Sequence, residues 1–159
     1  MCPCSDENDL APDRRHGANG EPSRRPPRRL AVAEAWVDIG PEALWRLTHD
    51  AGGEQESMLA TARLAGIQAA KRTDQLVPLC AALQLDALDV QAELVDDRVR
   101  ILAAATCEGA AGVDMPAMTA AAVAALTVYD MVRDDAPSVV IGPIRLIDRR
   151  EEDEIGRAS

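Results

Sequence analysis

The chain has 159 residues, of which 47% are hydrophobic and 2% aromatic, and its formal net charge at pH 7 is -10. This length suits one domain whose core is built from small and branched aliphatic side chains, and the hydrophobic fraction excludes a wholly disordered acidic chain. The acidic balance argues against nucleic acid as a partner, because a negatively charged body repels phosphates at long range.

The first 28 residues are predicted to be a disordered arm. They contain five prolines and most of the Arg/Pro run RRPPRR at residues 24–29, which indicates a solvated linker rather than a phosphate or RNA site. Cys2 and Cys4 are expected to be reduced thiols, since no second Cys/His pair with zinc spacing accompanies them. We therefore expect no metal site and no cofactor.

A cytoplasmic location is expected, and membrane attachment is not. The first thirty residues lack the apolar stretch of a secretory signal. The longest charge-free run, residues 115–129, is expected to be too short and too rich in alanine to span a bilayer.

Apolar periodicity and turn residues predict the elements that follow the arm. In chain order they are a strand at 30–39, a short helix at 41–49, a long helix at 57–75, strands at 85–94 and 98–107 joined by a turn at Asp96 and Asp97, an alanine-rich helix at 116–132 and a strand at 138–147 interrupted by Gly142 and Pro143.

This order predicts an α+β fold of the ferredoxin-like sandwich type, a mostly antiparallel sheet with helices on one face. The domain is predicted to span residues 29–148, followed by a loose charged tail at 149–159. The sequence contains no G-x-x-x-x-G-K, G-x-G-x-x-G or H-E-x-x-H motif, so it offers no nucleotide-phosphate loop and no zinc-protease site.

Asp130 follows a long uncharged helical stretch, and Arg133 lies three residues later on the same helix face. A carboxylate in a buried helix is costly unless it has a partner or a task, so Asp130 is a candidate general acid/base. The alternative, which the sequence supports equally, is that the helix emerges into solvent at this point.

Two further candidates have simpler structural interpretations. Asp114, before Met115 and Pro116, is expected to be a helix N-cap. Cys80 is expected to be a small buried hydrophobic residue rather than a nucleophile, because neither histidine, His16 nor His49, is expected near it.

Three stretches together resemble one family. They are ATARLAGIQAAKRTDQLVPLC at 60–80, GVDMPAMTAAAVAALTVYDM at 112–131 and VVIGPIRLI at 139–147. With them the chain resembles cyclic pyranopterin monophosphate synthase, the molybdenum cofactor biosynthesis protein C, over residues 29–148.

The resemblance implies a ferredoxin-like fold and a homohexamer built as a trimer of dimers. It also implies a lyase that converts a cyclic dihydro-GTP intermediate into cyclic pyranopterin monophosphate and pyrophosphate. The family's site lies between subunits and is lined with basic residues, as a triphosphate requires.

The resemblance also assigns roles to residues of this chain. The family's catalytic aspartate falls on Asp130, and the lysine one turn later falls on Arg133, which keeps the charge but does not exchange a proton as lysine does. The residues that correspond to substrate-binding positions of the family are Arg29, Leu79, Cys80, Asp114 and Met115.

Several family positions are altered. The family's Leu-Cys-His-Pro-Leu is here interrupted by Ala81 in place of the histidine, and a loop lysine corresponds approximately to Gln55. The second acid of the family's Glu-Met-Glu is Pro116. The lysine- and glycine-rich segment after the last strand is replaced by RREEDE at residues 149–154, and the chain's one lysine is Lys71.

Three explanations follow. The chain is a catalytically impaired paralogue, which assembles alone or with a complete copy; or it is an active lyase in which Asp130 and Arg133 suffice; or it is a non-catalytic interaction or regulatory subunit. Losing one positioned general acid/base costs about 10²–10⁴-fold in rate, so the first explanation is favoured.

Overall fold

The computed structural model describes residues 27–49, 52–109, 112–134, 136 and 138–151. The predictions about Cys2, Cys4, His16, the arm up to residue 26 and the tail from residue 152 lie outside these residues. The elements in chain order are β1 (Arg28–Asp38), α1 (Gly40–His49), α2 (Glu54–Ala70), α3 (Thr73–Leu76), β2 (Ala87–Val95), β3 (Arg98–Glu108), α4 (Asp114–Val132), β4 (Val140–Ile141) and β5 (Arg145–Glu151).

The strands form one antiparallel sheet with β1 inside it. Strand β3 lies along one side of β1 from Arg28, opposite Glu108, to Asp38, opposite Arg98. On its other side β1 pairs with β4 and then with β5, while β2 pairs with β3 at the far edge. An antiparallel sheet packed against helices confirms the predicted α+β ferredoxin-like class.

One face of the sheet is buried beneath α2 and α4. Strand residues alternate between the two faces, and α4 contacts β1 and β3 while α2 contacts β2. The fully buried residues of the two central strands are mostly small or branched aliphatics: Ala31, Ala33, Ala35, Val37, Val99, Ile101, Ala103 and Ala105.

The two long helices approach each other closely at Gly66. A Cβ atom placed on Gly66 would lie 2.9 Å from the carbonyl oxygen of Ala120 and 3.3 Å from the Cβ of Ala124. Only a residue without a side chain fits this contact. The alanine-rich sequence of α4 thus brings the helix backbones together, and the two helices run antiparallel, since Met58 and Met131 line one cavity.

The predicted helix at 57–75 is divided into α2 and α3, which is a correction. The hydroxyl of Thr73 donates to the carbonyl oxygens of Ala69 at 3.3 Å and Ala70 at 2.8 Å. The amide of Arg72 donates to the oxygen of Ala69, one residue short of the α-helical partner. Side-chain bonds of this kind compete with the helical ladder, and they end α2 at Ala70.

The last strand also differs from its prediction. It is split, as expected, into β4 and β5 around Gly142 and Pro143, but β5 continues through Glu151. Three residues of the predicted tail, 149–151, are therefore strand residues paired with β1.

Helix α4 extends beyond the charge-free run at 115–129, which was expected to be too short for a bilayer. Its 19 residues have a mean hydropathy of 1.4, which suffices by length and composition for a membrane span, but half of this stretch is buried inside the domain. Because α4 packs against α2 and the sheet, it is a core helix.

Candidate functional site

The residues predicted to form the site lie at two ends of α4. Asp114 and Met115 begin the helix, whereas Asp130 lies in its last turn and Arg133 directly follows it. At 1.5 Å of rise per residue, the backbones of Asp114 and Asp130 are about 24 Å apart. A single protomer therefore presents two separate groups of candidate residues.

The first group lines a cavity of about 180 Å³ at the start of α4. We call it the arginine basin, and its lining residues are Arg29, Leu30, Gly112, Val113, Asp114, Arg149, Arg150 and Glu151. Antiparallel pairing of β1 with β5 places Arg29 opposite Glu151 and Ala31 opposite Arg149. The sequence analysis predicted Arg29 and Asp114 as substrate contacts, and the fold brings both to this cavity.

Each basin arginine contacts a carboxylate of the same chain. Arg29 Nε lies 3.0 Å from Glu151 Oε1, and Arg149 Nη1 lies 3.2 Å from Asp114 Oδ2. Arg150 Nη2 lies 2.8 Å from the neighbouring Asp148 Oδ2. The positive charge of the basin is thus offset by three acids that the chain itself supplies.

The expected role of Asp114 as an N-cap is wrong. Helix α4 begins with Asp114 itself, the cap position is Val113, and no side-chain hydrogen bond caps this end within the described residues. The carboxylate instead pairs with Arg149 of β5. Its negative charge still complements the dipole of the helix N-terminus from the first turn. Met115 follows it and is exposed.

At the other end of α4, Asp130 and Arg133 form an ion pair in solvent. Arg133 Nε lies 3.4 Å from Asp130 Oδ1, and the two side chains are 55% and 69% exposed, respectively. Arg133 also lies 3.9 Å from Asp134. In a single protomer the end of α4 is therefore in solvent, which was the second of the two interpretations of Asp130. The carboxylate of Asp130 is exposed to water.

A second cavity, of about 320 Å³, lies beside this end of α4. Its lining includes Met131, which follows Asp130, and Glu54 and Ser57 from the start of α2. Gln55, predicted in the loop before the helix, belongs to the first turn of α2 and is half-buried. The antiparallel packing of α2 and α4 thus brings the Gln55 and Asp130 ends of these helices to one side of the domain.

The loop after α3 carries Leu79, Cys80 and Ala81. The side chain of Leu79 is fully exposed. Cys80 is half-buried, and its Sγ lies 3.6 Å from the carbonyl oxygen of Ala81, which corrects the expectation of a buried residue. The loop rejoins the sheet where the amide of Asp86 donates to the oxygen of Thr106. Thr106 pairs with Leu30, so the loop ends at the Arg29 end of the sheet.

Sequence reasoning missed a buried carboxylate on the face of the sheet opposite the helices. Glu34 of β1 is 3% exposed and accepts hydrogen bonds from Arg100 Nε at 3.0 Å and Arg145 Nη2 at 2.6 Å. These bonds, foremost that of Arg145, hold the pKa of the Glu34 carboxyl below its ordinary value. The available signal was an acid in the middle of an otherwise apolar stretch, residues 30–37.

Beside Glu34 the same face carries Trp36 beneath two guanidinium groups. The guanidinium carbons of Arg98 and Arg100 lie 4.9 Å and 5.6 Å from the ring centroid, within the range of cation–π attraction. A third cavity, of about 430 Å³, lies here between Trp36, Val140 and Pro143. None of the predicted site residues lines it.

Within the described part of the chain, no group of three or more His, Cys, Asp or Glu side chains is arranged to hold a metal ion. Cys107, the other described cysteine, is buried, and burial raises the pKa of its thiol. A thiol with a raised pKa is a poor nucleophile at neutral pH.

A family model described as the MoaC family matches residues 22–151. The match covers most of the chain, including β1, the arginine basin and α4.

Proposed function

The chain belongs to the MoaC family, whose members act in molybdenum cofactor biosynthesis, and we propose that this member is a catalytically impaired paralogue of cyclic pyranopterin monophosphate synthase. The observation that carries the proposal is Ala81, an exposed methyl group where the family has its histidine. No proton can be exchanged at this position.

The one histidine among the described residues is His49, and within a protomer it has its own contacts. His49 lies on α1, where its ring stacks on Trp45 at 5.0 Å. Its Nδ1 contacts the carbonyl oxygen of Trp45 at 3.0 Å. These contacts hold the imidazole on the surface of α1.

The charges of the protomer support the same proposal. A cyclic triphosphate-derived substrate requires cationic partners. Here Arg133 is shared between Asp130 and Asp134, and the basin arginines are each paired with an acid. Lys71, the single lysine, is exposed after the end of α2. Binding of the cyclic intermediate is therefore expected to be weak.

We further propose that a complete site needs two protomers. Because Asp114 and Asp130 lie about 24 Å apart along α4, the basin of one protomer would have to meet the Asp130 end of another. A homohexamer built as a trimer of dimers would supply this arrangement, and so would a mixed assembly with a complete paralogue. Light scattering at micromolar concentration is expected to give at least a dimer, and a clean monomer would contradict the proposal. The proposed location is the cytoplasm.

The second candidate function is an active lyase that uses Asp130. The observation in its favour is the 3.4 Å contact of Asp130 with Arg133, which keeps an acid and a cation side by side at the family's positions. An oligomer would change the exposure of this pair, so the two candidates require a functional test.

The test is complementation of a strain that lacks the normal synthase, combined with an assay of cyclic pyranopterin monophosphate formation from the cyclic intermediate. The unmodified chain is expected to rescue nothing. The combined substitutions Ala81→His, Gln55→Lys and Arg133→Lys should recover some turnover, whereas each alone should do little, because residues that act as a unit are non-additive. Adding Asp130→Asn should abolish the recovered activity. Rescue by the unmodified chain that is lost with Asp130→Asn would instead establish an active lyase.

A further inference from the structure

The arginine basin combines a phosphate-binding type of side chain with acids that occupy it. Guanidinium groups bind phosphates and carboxylates through the same paired N–H donors. A carboxylate that holds these donors therefore competes directly with a phosphate. In the basin, Glu151 accepts from two donors of Arg29, and Asp114 contacts Arg149.

Glu151 occupies the bidentate edge of Arg29. A single oxygen, Oε1, accepts from Nε at 3.0 Å and from Nη2 at 2.5 Å. These two donors form one side of the guanidinium group, which can bind a carboxylate or a phosphate through two parallel hydrogen bonds. Arg29 is the most buried of the three basin arginines, while Glu151 is exposed, so the acid lies on the solvent side of the pair.

Arg149 has a weaker ion pair than Arg29. Its contact with Asp114 uses Nη1 at 3.2 Å, and the guanidinium is largely exposed. Counting the lining residues, Arg29, Arg149 and Arg150 contribute three positive charges, and Asp114 and Glu151 contribute two negative charges. Asp148, outside the lining, pairs with Arg150, so the loss of Glu151 would leave the three basin arginines with one fewer acid partner than arginines.

We propose that Glu151 is a specificity-determining residue of the basin, a built-in competitor that keeps the paired donors of Arg29 from binding phosphate-bearing anions. The inference rests on the proposed function in one respect, because the family's substrate carries phosphates and phosphate is therefore taken as the kind of ligand that Glu151 excludes. The register of the sheet fixes this competitor in place, because Glu151 is the β5 residue directly opposite Arg29.

The probe is inorganic pyrophosphate, whose affinity for the full chain is measured by isothermal titration calorimetry at fixed, low ionic strength. Glu151→Gln should bind pyrophosphate about fivefold more tightly than the unmodified chain, which is the upper range for releasing one partly exposed ion pair. Glu93→Gln is the matched control. It removes an exposed acid that lies 3.6 Å from Arg100 on a different part of the sheet, and it should leave the affinity unchanged.

A further substitution ties the gain to the basin. Adding Arg29→Gln to Glu151→Gln should cancel the increase in affinity, because it removes the donors that Glu151 occupies, and circular dichroism should show that all variants are folded. The proposal is overturned if Glu151→Gln binds no more tightly, if Glu93→Gln gains as much, or if the gain survives Arg29→Gln. Because pyrophosphate binding is measured without turnover, a rescue of the synthase-deficient strain would refute the proposed function and leave this result unaffected.

Discussion

Replacing Glu34 by Gln removes the charge at the centre of the one buried ionic cluster among the described residues while keeping the side-chain shape. The carboxylate accepts hydrogen bonds from Arg100 and from both Nε and Nη2 of Arg145. Gln offers one acceptor oxygen and turns an amide N–H₂ towards a guanidinium. The substitution therefore breaks at least one charge-assisted bond and removes the buried counter-ion that both arginines share, while exposed Glu93 stays 3.6 Å from Arg100.

The magnitude follows from the exposure of the partners. Hydrogen bonds to charged groups contribute about 1.5–3 kcal/mol, and breaking a fully buried ion pair costs about 3–5 kcal/mol. The side chain of Glu34 is 4% exposed, but those of Arg100 and Arg145 are 35% and 62% exposed, so water screens part of the interaction. We expect the free energy of unfolding to fall by about 2–3 kcal/mol, which corresponds to roughly 8–12 °C in Tm for a domain of this size.

The assay is urea unfolding followed by circular dichroism at pH 7 and at one protein concentration, because assembly makes stability concentration-dependent. Glu93→Gln is again the matched control, since Glu93 contacts the same Arg100 at 3.6 Å but is 58% exposed. It should change the free energy of unfolding by less than about 0.5 kcal/mol. A loss below about 1 kcal/mol for Glu34→Gln, or equal losses for both variants, would refute the reasoning from burial.

Three other predictions concern pH, helix packing and thiol reactivity. The pKa of Glu34 is lowered in the folded state. The stabilisation that its charge provides is therefore complete above the ordinary carboxyl pKa of 4.5 and is lost as the pH falls through the lower folded value. The difference in the free energy of unfolding between the unmodified chain and Glu34→Gln should accordingly become smaller in acid. Gly66→Ala should lower the free energy of unfolding by roughly 1–2 kcal/mol, since a clash with a backbone oxygen outweighs the gain in helix propensity. Gly112→Ala is the control, because its Cβ would meet nothing within 4 Å. In the same urea titration it should lower the free energy of unfolding by less than about 0.5 kcal/mol. In peptide-mapped alkylation at pH 8, half-buried Cys80 should react well before Cys107, whose burial raises the pKa of its thiol; equal rates would contradict the buried position of Cys107.

The sequence was sufficient for the elements and for the class of fold. Strand alternation identified the buried residues of β2 and β3, and Asp96 and Asp97 marked the turn between them, where Asp96 adopts a φ of 55°. Such signals are local, because the period of apolar residues reports which side of an element faces the core. The family was likewise recognised from the three motif stretches, and the MoaC match confirms it.

The sequence was less reliable about the environment of charged residues. Asp130 was considered as a buried acid because its own helix is apolar, yet its side chain is 69% exposed. Asp114 was expected to cap α4, but the helix begins at Asp114 itself and its carboxylate pairs with Arg149 of β5. Neither outcome follows from the neighbours of these residues in the chain.

What the sequence by itself determined is the pattern of buried and exposed faces, and with it the sheet, the core and the family. What only the tertiary structure decided is which charges meet. Glu34 is separated from Arg100 by 66 residues and from Arg145 by 111, and Arg29 is separated from Glu151 by 122. Burial is set largely by each residue's place in a local repeat, whereas an ion pair depends on the register between distant strands, which exists only when the whole sheet has formed.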